Sequence, residues 1–255
     1  MRLSRRTLMV TATLAAALSA TPVHADACCA IVELRQYEMK PGGRDVLIDL
    51  FDSTFVDAQE AAGNTIMAQF RDLDRPNRFV WLRGFKDIAA RPKTLDAFYT
   101  SATWQKHHNA ANATMIDVSD VLLLRPLKPL PIGKRPQDEA ATGFVEVSVY
   151  AFDQTVTVEA ITTIDSELEA AGAHAVATYV TEKSANNYPR LPIRENENVL
   201  VRIATFPSIE AYNAHRASLE RASQWQALAQ RLRAKLKSDP QILRLTPTAR
   251  SLTHG

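Results

Sequence analysis

The chain has 255 residues, of which 46% are hydrophobic, and it carries 30 Lys and Arg against 28 Asp and Glu. This length accommodates one large domain or two small ones, and the hydrophobic content is typical of a packed globular protein. Residues 1–25 hold three arginines and no acid, which leaves 27 basic and 28 acidic residues in the rest of the chain. So even a balance provides no electrostatic basis for binding nucleic acid or an anionic membrane.

The N-terminus has the three parts of an export signal. Three arginines within residues 2–6 precede a short apolar run at 8–20, and a small-residue cleavage site follows at 23–25. We predict a signal peptide over 1–25, a tail over 26–30, and a periplasmic or secreted location. The arginine pair favours the twin-arginine route, and the general secretory route stays open. The apolar run is too short for a stable membrane span to be expected once the signal is removed.

Cys28 and Cys29 are the two cysteines of the chain, and they are adjacent. Because neighbouring sulfurs rarely form a relaxed disulfide and no distant partner exists, we expect a tail without a structural disulfide. Two cysteines are too few ligands for a metal site, so no metal is predicted. The sequence has no phosphate loop and no dinucleotide fingerprint, and we predict no cofactor.

Strand and helix patterns alternate in the first half of the chain. Runs of β-branched and aromatic residues predict strands at 31–38, 66–71, 78–85 and 121–125. Apolar periodicity predicts a helix over 44–62 that ends at Gly63, and a second helical region that holds Trp104. The order β-α-β-β-α-β is that of a ferredoxin-like fold.

Several patterns of the first half recur in the second. Glu33-x-Arg35-x-Tyr37 returns 113 residues later as Glu146-x-Ser148-x-Tyr150, and Trp104-Gln105 returns 121 residues later as Trp225-Gln226. The difference of eight residues falls in 183–196, between the second and third strands of the second copy. We expect its part from Asn186 to Arg194 to be an exposed loop, and the alternative is that this part covers the mouth of a barrel.

The recurrence predicts an α+β protein of two tandem ferredoxin-like domains. A four-stranded sheet of this type has helices on one face only, and its other face must be buried. Two copies can bury these faces against each other, which gives an intrachain version of a dimeric α+β barrel. The predicted boundaries are 31–126 for the first domain, 127–142 for a Pro-rich linker, 143–248 for the divergent second domain and 249–255 for a C-terminal tail.

Residues 31–126 contain a set of specific motifs, which are Glu33-Leu34-Arg35-Gln36-Tyr37, Lys40-Pro41-Gly42, Gln69-Phe70, Asn77-Arg78-Phe79-Val80-Trp81-Leu82-Arg83-Gly84-Phe85, Arg91, Trp104 and Val121-Leu122-Leu123-Leu124-Arg125-Pro126. In these motifs the segment resembles the NIPSNAP family. The resemblance implies the dimeric α+β barrel fold that cofactor-free oxygenases and haem-degrading enzymes share. NIPSNAP proteins have no agreed reaction, so the resemblance does not imply an activity.

Strand alternation separates an aliphatic face from a mixed face that carries charged and aromatic side chains. We expect the aliphatic faces to pack on helices and the mixed faces to line the barrel interior. A small aromatic or anionic ligand is the predicted partner, and homo-oligomerisation stays open. The predicted ligand-binding residues are Glu33, Arg35, Tyr37, Gln69, Arg71, Trp81, Arg83, Trp104 and Asn112.

Two histidines of the second helical region, His107 and His108, are the candidate catalytic residues, since an imidazole titrates near neutral pH. Their i, i+1 spacing does not suit a shared metal ion, and a structural role is the alternative. Two functions follow. One is a binding or protein-interaction module, and the other is a cofactor-independent monooxygenase-like enzyme acting on a small aromatic or quinol-like substrate. For Glu33 the alternative to ligand binding is a buried ion pair with an arginine.

Overall fold

The computed structural model describes residues 28–133, 135 and 142–255. The predicted signal peptide, with its arginine pair and cleavage site, lies outside the described residues, as does most of 134–141 in the predicted linker. Within the described ranges, no helix is long and apolar enough to cross a bilayer.

The first half contains four strands and four α-helices. Its elements are β1 (Ile31–Met39), α1 (Gly43–Leu50), a π-helical turn (Phe51–Phe55), α2 (Val56–Ala61), β2 (Thr65–Asp72), β3 (Arg78–Phe85), α3 (Ala90–Tyr99), α4 (Ala102–Thr114) and β4 (Met115–Lys128). The predicted helix over 44–62 is thus one helical segment with a π-helical turn in its middle. Gly63 follows with a φ of 94°, a left-handed conformation that glycine adopts without strain and that ends the helix.

The second half has the same order of strands and intervening helical segments as the first. It consists of β5 (Phe144–Ala151), α5 (Val158–Ala170), β6 (Ala177–Thr181), β7 (Val199–Phe206), α6 (Ile209–Arg221), α7 (Ser223–Arg233) and β8 (Gln241–Pro247). Helices again lie between the first and second strands and between the third and fourth.

The eight strands form one closed antiparallel barrel in the order β1-β3-β2-β8-β5-β7-β6-β4. Each half contributes four adjacent strands in the same relative order. The halves join where Phe70 of β2 pairs with Pro247 of β8, and where Leu124 of β4 pairs with Thr181 of β6. The predicted α+β barrel is confirmed.

The barrel interior is filled with apolar side chains from all eight strands. Val32 and Leu34 of β1 lie in this core with Val80 and Leu82 of β3, and the second half adds residues such as Val147. The prediction that the aliphatic faces pack on helices is therefore wrong. The grouping of side chains by strand alternation is right, but the two faces are exchanged.

The exchange has a physical reason. An aliphatic face from each half can fill a closed barrel without any polar partner, at a gain of about 25 cal/mol per Å2 of apolar area buried. The mixed face needs hydrogen-bond and charge partners, which the helices supply. Arg91 of α3 reaches Glu33, and Phe51 of the π-helical turn contacts Trp81 at a ring-centroid distance of 4.9 Å.

Cys28 and Cys29 form a disulfide with each other, so the expectation of a tail without one is wrong. Cys29 is buried at one end of the barrel core. Its Sγ would lie 2.2 Å from a Cβ placed on Gly84 of β3. Only glycine at position 84 leaves room for this contact, and the disulfide is therefore packed against the barrel rather than free in a tail.

Candidate functional site

The charged and aromatic residues of the first half lie between the outer face of β1 and β3 and the helices that cover it. We call this region the first-half layer. Strand register places its members next to one another, because Glu33 pairs with Arg83 and Arg35 pairs with Trp81 across the β1–β3 ladder. Side chains on one face of paired strands are close enough to contact.

Three arginines converge on the carboxylate of Glu33, and all four side chains are fully buried. Arg83 donates to Oε2 from Nη2 at 2.6 Å and from Nε at 3.1 Å, and Arg35 donates to the same oxygen from Nη1 at 2.8 Å. Arg91 donates from Nε to Oε1 at 2.8 Å, while its Nη2 lies 2.7 Å from Oε1 without being directed at it. The structure thus contains the buried ion pair that was the alternative for Glu33.

The cluster carries more positive than negative charge. Burial alone would raise the pKa of Glu33, but the charges of Arg83, Arg35 and Arg91 outweigh burial and hold that pKa well below its ordinary value. Glu33 is therefore ionised at neutral pH. Among the described residues it is the one carboxylate in contact with these arginines, so the cluster has a net charge of about +2 in a low-dielectric environment.

Trp81 and Tyr37 pack against the arginines. The guanidinium carbons of Arg35 and Arg83 lie 5.4 and 5.1 Å from the Trp81 ring centroid, within cation–π range. Arg35 also donates from Nε to the Tyr37 hydroxyl at 3.0 Å. Burial raises the pKa of Tyr37 although Arg35 opposes the shift, so this hydroxyl is protonated at neutral pH.

A cavity of about 130 Å3 lies in the first-half layer, beside the arginine cluster. Its walls are mainly aromatic and apolar. The lining residues are Tyr37, Leu47, Phe51, Phe55, Gln59, Trp81, Phe98, Tyr99, Trp104, Ala111, Asn112, Met115, Val118 and Leu191. An apolar cavity of about 150 Å3 in another protein binds benzene, so this volume is that of a single aromatic ring.

The polar groups of the lining lead directly to the arginines. Tyr37 contacts Arg35, and the Gln59 Oε1 accepts a hydrogen bond from Arg83 Nη1 at 2.9 Å. Among the buried donors without a partner in the described chain, three belong to this layer: the Nε1 of Trp81, which lines the cavity, and the Nη2 atoms of Arg35 and Arg91. Unpartnered buried donors are costly, so these atoms favour an acceptor supplied by a ligand.

The structure brings seven of the nine predicted binding residues into or beside the cavity. Tyr37, Trp81, Trp104 and Asn112 line it, and the cluster of Glu33 with its arginines lies behind Tyr37 and Gln59. Arg35 and Arg83 are the other two residues of this cluster that the sequence predicted.

Gln69 and Arg71 are not among the residues that line the cavity, although Gln69 pairs with Trp81 across the β2–β3 ladder. The Gln69 Nε2 lies 3.5 Å from a carboxylate oxygen of Asp52, and Arg71 donates to Asp45 at 2.8 Å. Both β2 residues contact the first helical segment near the junction with β8. Strand alternation gave their face correctly but not their distance from β1.

His107 and His108 are half-buried on α4 and are not among the residues that line the cavity. The Nδ1 of His108 lies 3.0 Å from the Gln105 carbonyl of its own helix. The His107 ring contacts Phe55 at a centroid distance of 6.4 Å. The catalytic role of either histidine stays a prediction, and these contacts give it no support.

Sequence reasoning missed Arg91, Gln59 and Leu191. Arg91 lies in a polar stretch at the start of a helix, and Gln59 in the last turns of another, where such residues are commonly exposed. A usable signal was the aromatic content of the helices. Phe51, Phe55 and Phe98 need an aromatic or apolar face opposite them, and the mixed face of β1 and β3 provides it.

Across the described chain, no group of three or more His, Cys, Asp or Glu side chains could hold a metal ion.

Comparison with known proteins finds a family model that matches part of the first half. Residues 32–131 match the NIPSNAP family model. A NIPSNAP-like domain protein from Burkholderia xenovorans is 20% identical and covers 42% of this chain and 89% of its own, with a TM-score of 0.34. No curated protein matches the sequence.

Two solved structures share the whole barrel. A monooxygenase-like protein from Fusobacterium nucleatum and an anthrone oxidase-like protein each have a TM-score of 0.54 and 12% identity. Each comparison covers 88% of this chain and 95% of the other. At this identity the likeness shows the fold.

Proposed function

We propose that this chain, with its NIPSNAP domain at residues 32–131, is a small-molecule-binding protein whose first-half layer holds one negatively charged, single-ring aromatic molecule. The observation that carries the proposal is the position of the cavity. Its aromatic walls lie directly against a buried cluster in which three arginines share one carboxylate.

The aromatic walls favour a planar ring. Trp104 lies with Phe55 and Phe98 at ring-centroid distances of 5.6 and 5.4 Å, and Trp81 lies across the same cavity. A ring placed among them gains both apolar burial and aromatic contacts worth about 0.5–1.5 kcal/mol beyond that burial.

The charge of the arginine cluster favours an anion. A carboxylate or phenolate near Tyr37 and Gln59 would face the excess positive charge through two polar side chains, where screening by water is weak. It would also offer an acceptor to the unpartnered Nε1 of Trp81, which lines the cavity. The protein–ligand interaction energy of such an anion should therefore exceed that of a neutral ring of the same size.

Titration calorimetry with benzoate, cyclohexanecarboxylate and benzyl alcohol tests both features. Benzoate should bind more tightly than cyclohexanecarboxylate, which lacks the aromatic ring, and than benzyl alcohol, which lacks the charge. Trp104→Leu should weaken benzoate binding roughly tenfold. The counterpart Trp225→Leu in the second half is the matched control and should leave the affinity unchanged. Equal affinity for all three compounds, or no binding of any, contradicts the proposal.

The alternative, a cofactor-independent monooxygenase-like enzyme, needs a base in contact with the bound ring. Tyr37 is protonated at neutral pH, and the two histidines lie outside the cavity lining. We therefore favour binding over catalysis. Oxygen electrode measurements with hydroquinone should show no uptake above that of the buffer, and protein-dependent uptake would favour the enzyme instead.

A further inference from the structure

The loop between the second and third strands differs in length between the halves. It has five residues in the first half, 73–77, and seventeen in the second, 182–198. Both loops start from equivalent contacts with the opposite half. The Leu73 N–H donates to the Arg244 carbonyl at 2.9 Å, and the Glu182 N–H donates to the Leu123 carbonyl at the same distance. The longer loop can therefore extend over the first half, whereas the shorter one turns back.

Side chains of the long loop are anchored to α3 of the first half and to the residues just before it. Arg91 donates from Nη1 to the side-chain oxygens of Asn186 and Asn187, both at 3.0 Å. The Asn187 Nδ2 donates to the Ile88 carbonyl at 2.6 Å, and the Tyr188 hydroxyl donates to Asp96 at 2.9 Å. The loop is thus bound to the arginine that also contacts Glu33.

Apolar contacts bring the loop to the cavity. Tyr188 is buried and its ring stacks on that of Tyr99, a cavity-lining residue, at a centroid distance of 6.4 Å. Leu191 is itself part of the cavity lining and packs against the apolar cluster that contains Leu95 and Tyr188. It is the one described residue of the second half that lines the cavity.

The second half has an equivalent groove without such a cover. Tyr150, Trp225, Leu232 and Leu236 line it at positions that correspond to Tyr37, Trp104, Ala111 and Met115. Its volume is about 440 Å3, and none of its described lining residues comes from the 73–77 loop. The first-half cavity is smaller, and Leu191 of the long loop is one of its lining residues.

We infer that residues 183–196 form a cap that the second half places over the ligand site of the first, and that Leu191 determines the size of the ligand. This inference rests on the proposed function. The cap limits the site to one ring by placing the Leu191 side chain in the wall of the cavity.

The test compares benzoate with 2-naphthoate in calorimetric titrations of the full mature chain. Leu191→Ala should raise the ratio of 2-naphthoate affinity to benzoate affinity roughly tenfold, since removing buried methylenes from a pocket wall changes discrimination by this order. Leu191→Trp should abolish binding of both compounds while the melting temperature stays near that of the wild type. Arg190→Gln, an exposed change in the same loop, is the control and should leave the ratio unchanged.

Different results separate the two proposals. If the wild type does not bind benzoate, the proposed function fails. If the wild type binds benzoate but Leu191→Ala changes the ratio no more than Arg190→Gln does, the cap inference fails alone. If Leu191→Ala does not fold, Leu191→Val replaces it in the test. Leu191→Val should raise the ratio of 2-naphthoate affinity to benzoate affinity by a smaller factor.

Discussion

The two helix-covered layers of the barrel have the same architecture but different charge arrangements. In the first half, three arginines share the carboxylate of Glu33. In the second half, Arg202 has two carboxylates of its own, with Asp165 at 2.7 Å and Glu169 at 2.6 Å. The first-half cluster therefore has more basic than acidic side chains, and the second-half cluster has more acidic than basic ones.

The difference lies at equivalent positions of the strands. The counterparts of Arg35, Trp81 and Arg83 are Ser148, Arg202 and Ala204, which occupy the same places in the β5–β7 ladder. The barrel thus forms with either set of residues. The excess positive charge of the first half is not required by the fold, which is why we attribute it to a ligand.

Removing the shared carboxylate should have the largest effect. Glu33→Gln leaves three buried guanidinium groups without a countercharge and should lower the free energy of unfolding by about 3–5 kcal/mol. Glu146→Gln is the matched control. It should cost less than about 1 kcal/mol, because one carboxylate oxygen of Glu146 accepts only from Ser148 and the other has no partner among the described residues. Urea titrations measure both, and equal losses would contradict the comparison.

Lowering the pH should reduce the difference in unfolding free energy between the wild type and Glu33→Gln. The folded-state pKa of Glu33 lies well below the ordinary value of 4.5, so its contribution is complete above that pH and is lost as the pH falls below it. The difference in unfolding free energy should therefore narrow by up to about 1.4 kcal/mol per pH unit below pH 4.5. A pH-independent difference between pH 4.5 and 3 would show that Glu33 is not ionised as described.

The disulfide contact of the first half should make position 84 sensitive to size. Gly84→Ala should destabilise the fold by about 1–3 kcal/mol, because its Cβ would overlap Cys29. The second half has Thr205 at the counterpart position, and Thr205→Ala should have a small effect. Thermal melts in a Cys28→Ser, Cys29→Gly background should show most of the Gly84→Ala loss recovered. Failure of this rescue would place the strain elsewhere.

The smallest expected effects concern the starts of α4 and α7. The Ser101 hydroxyl accepts a hydrogen bond from the Trp104 N–H at 3.1 Å, whereas its counterpart Ala222 provides no side-chain cap. Ser101→Ala should lower the free energy of unfolding by about 1 kcal/mol. Ala222→Ser should raise it by a similar amount, because the backbone of Ala222 already has the extended conformation of an N-cap. Chemical denaturation should show a lower free energy of unfolding for Ser101→Ala and a higher one for Ala222→Ser.

Much of the fold could be predicted from the sequence because its patterns are local. Strand alternation grouped Glu33, Arg35 and Tyr37 correctly, and the recurring Tyr and Trp positions indicated two similar halves. The choice of inner and outer face could not be made in this way. It depends on which face finds partners for its charges, and the partner Arg91 lies on a helix 58 residues away from Glu33.

The site was predicted in part for the same reason. Tyr37 and Trp81 were found because they share a strand face with Arg35 and Arg83. Leu191 could not be linked to them, because its place in the cavity depends on a loop of the other half crossing the barrel junction. Gln69 shares a face with its ladder partner Trp81 but contacts Asp52 rather than the cavity, because alternation reports the face of a strand and not where the end of a side chain lies.

The most direct test of the account is a crystal structure of the mature chain soaked with 4-bromobenzoate, with the bromine located by anomalous scattering. The account predicts one strong peak in the first-half layer, between Trp81 and Trp104. A peak within the barrel interior or in the second-half groove, or no peak at any position, would contradict it.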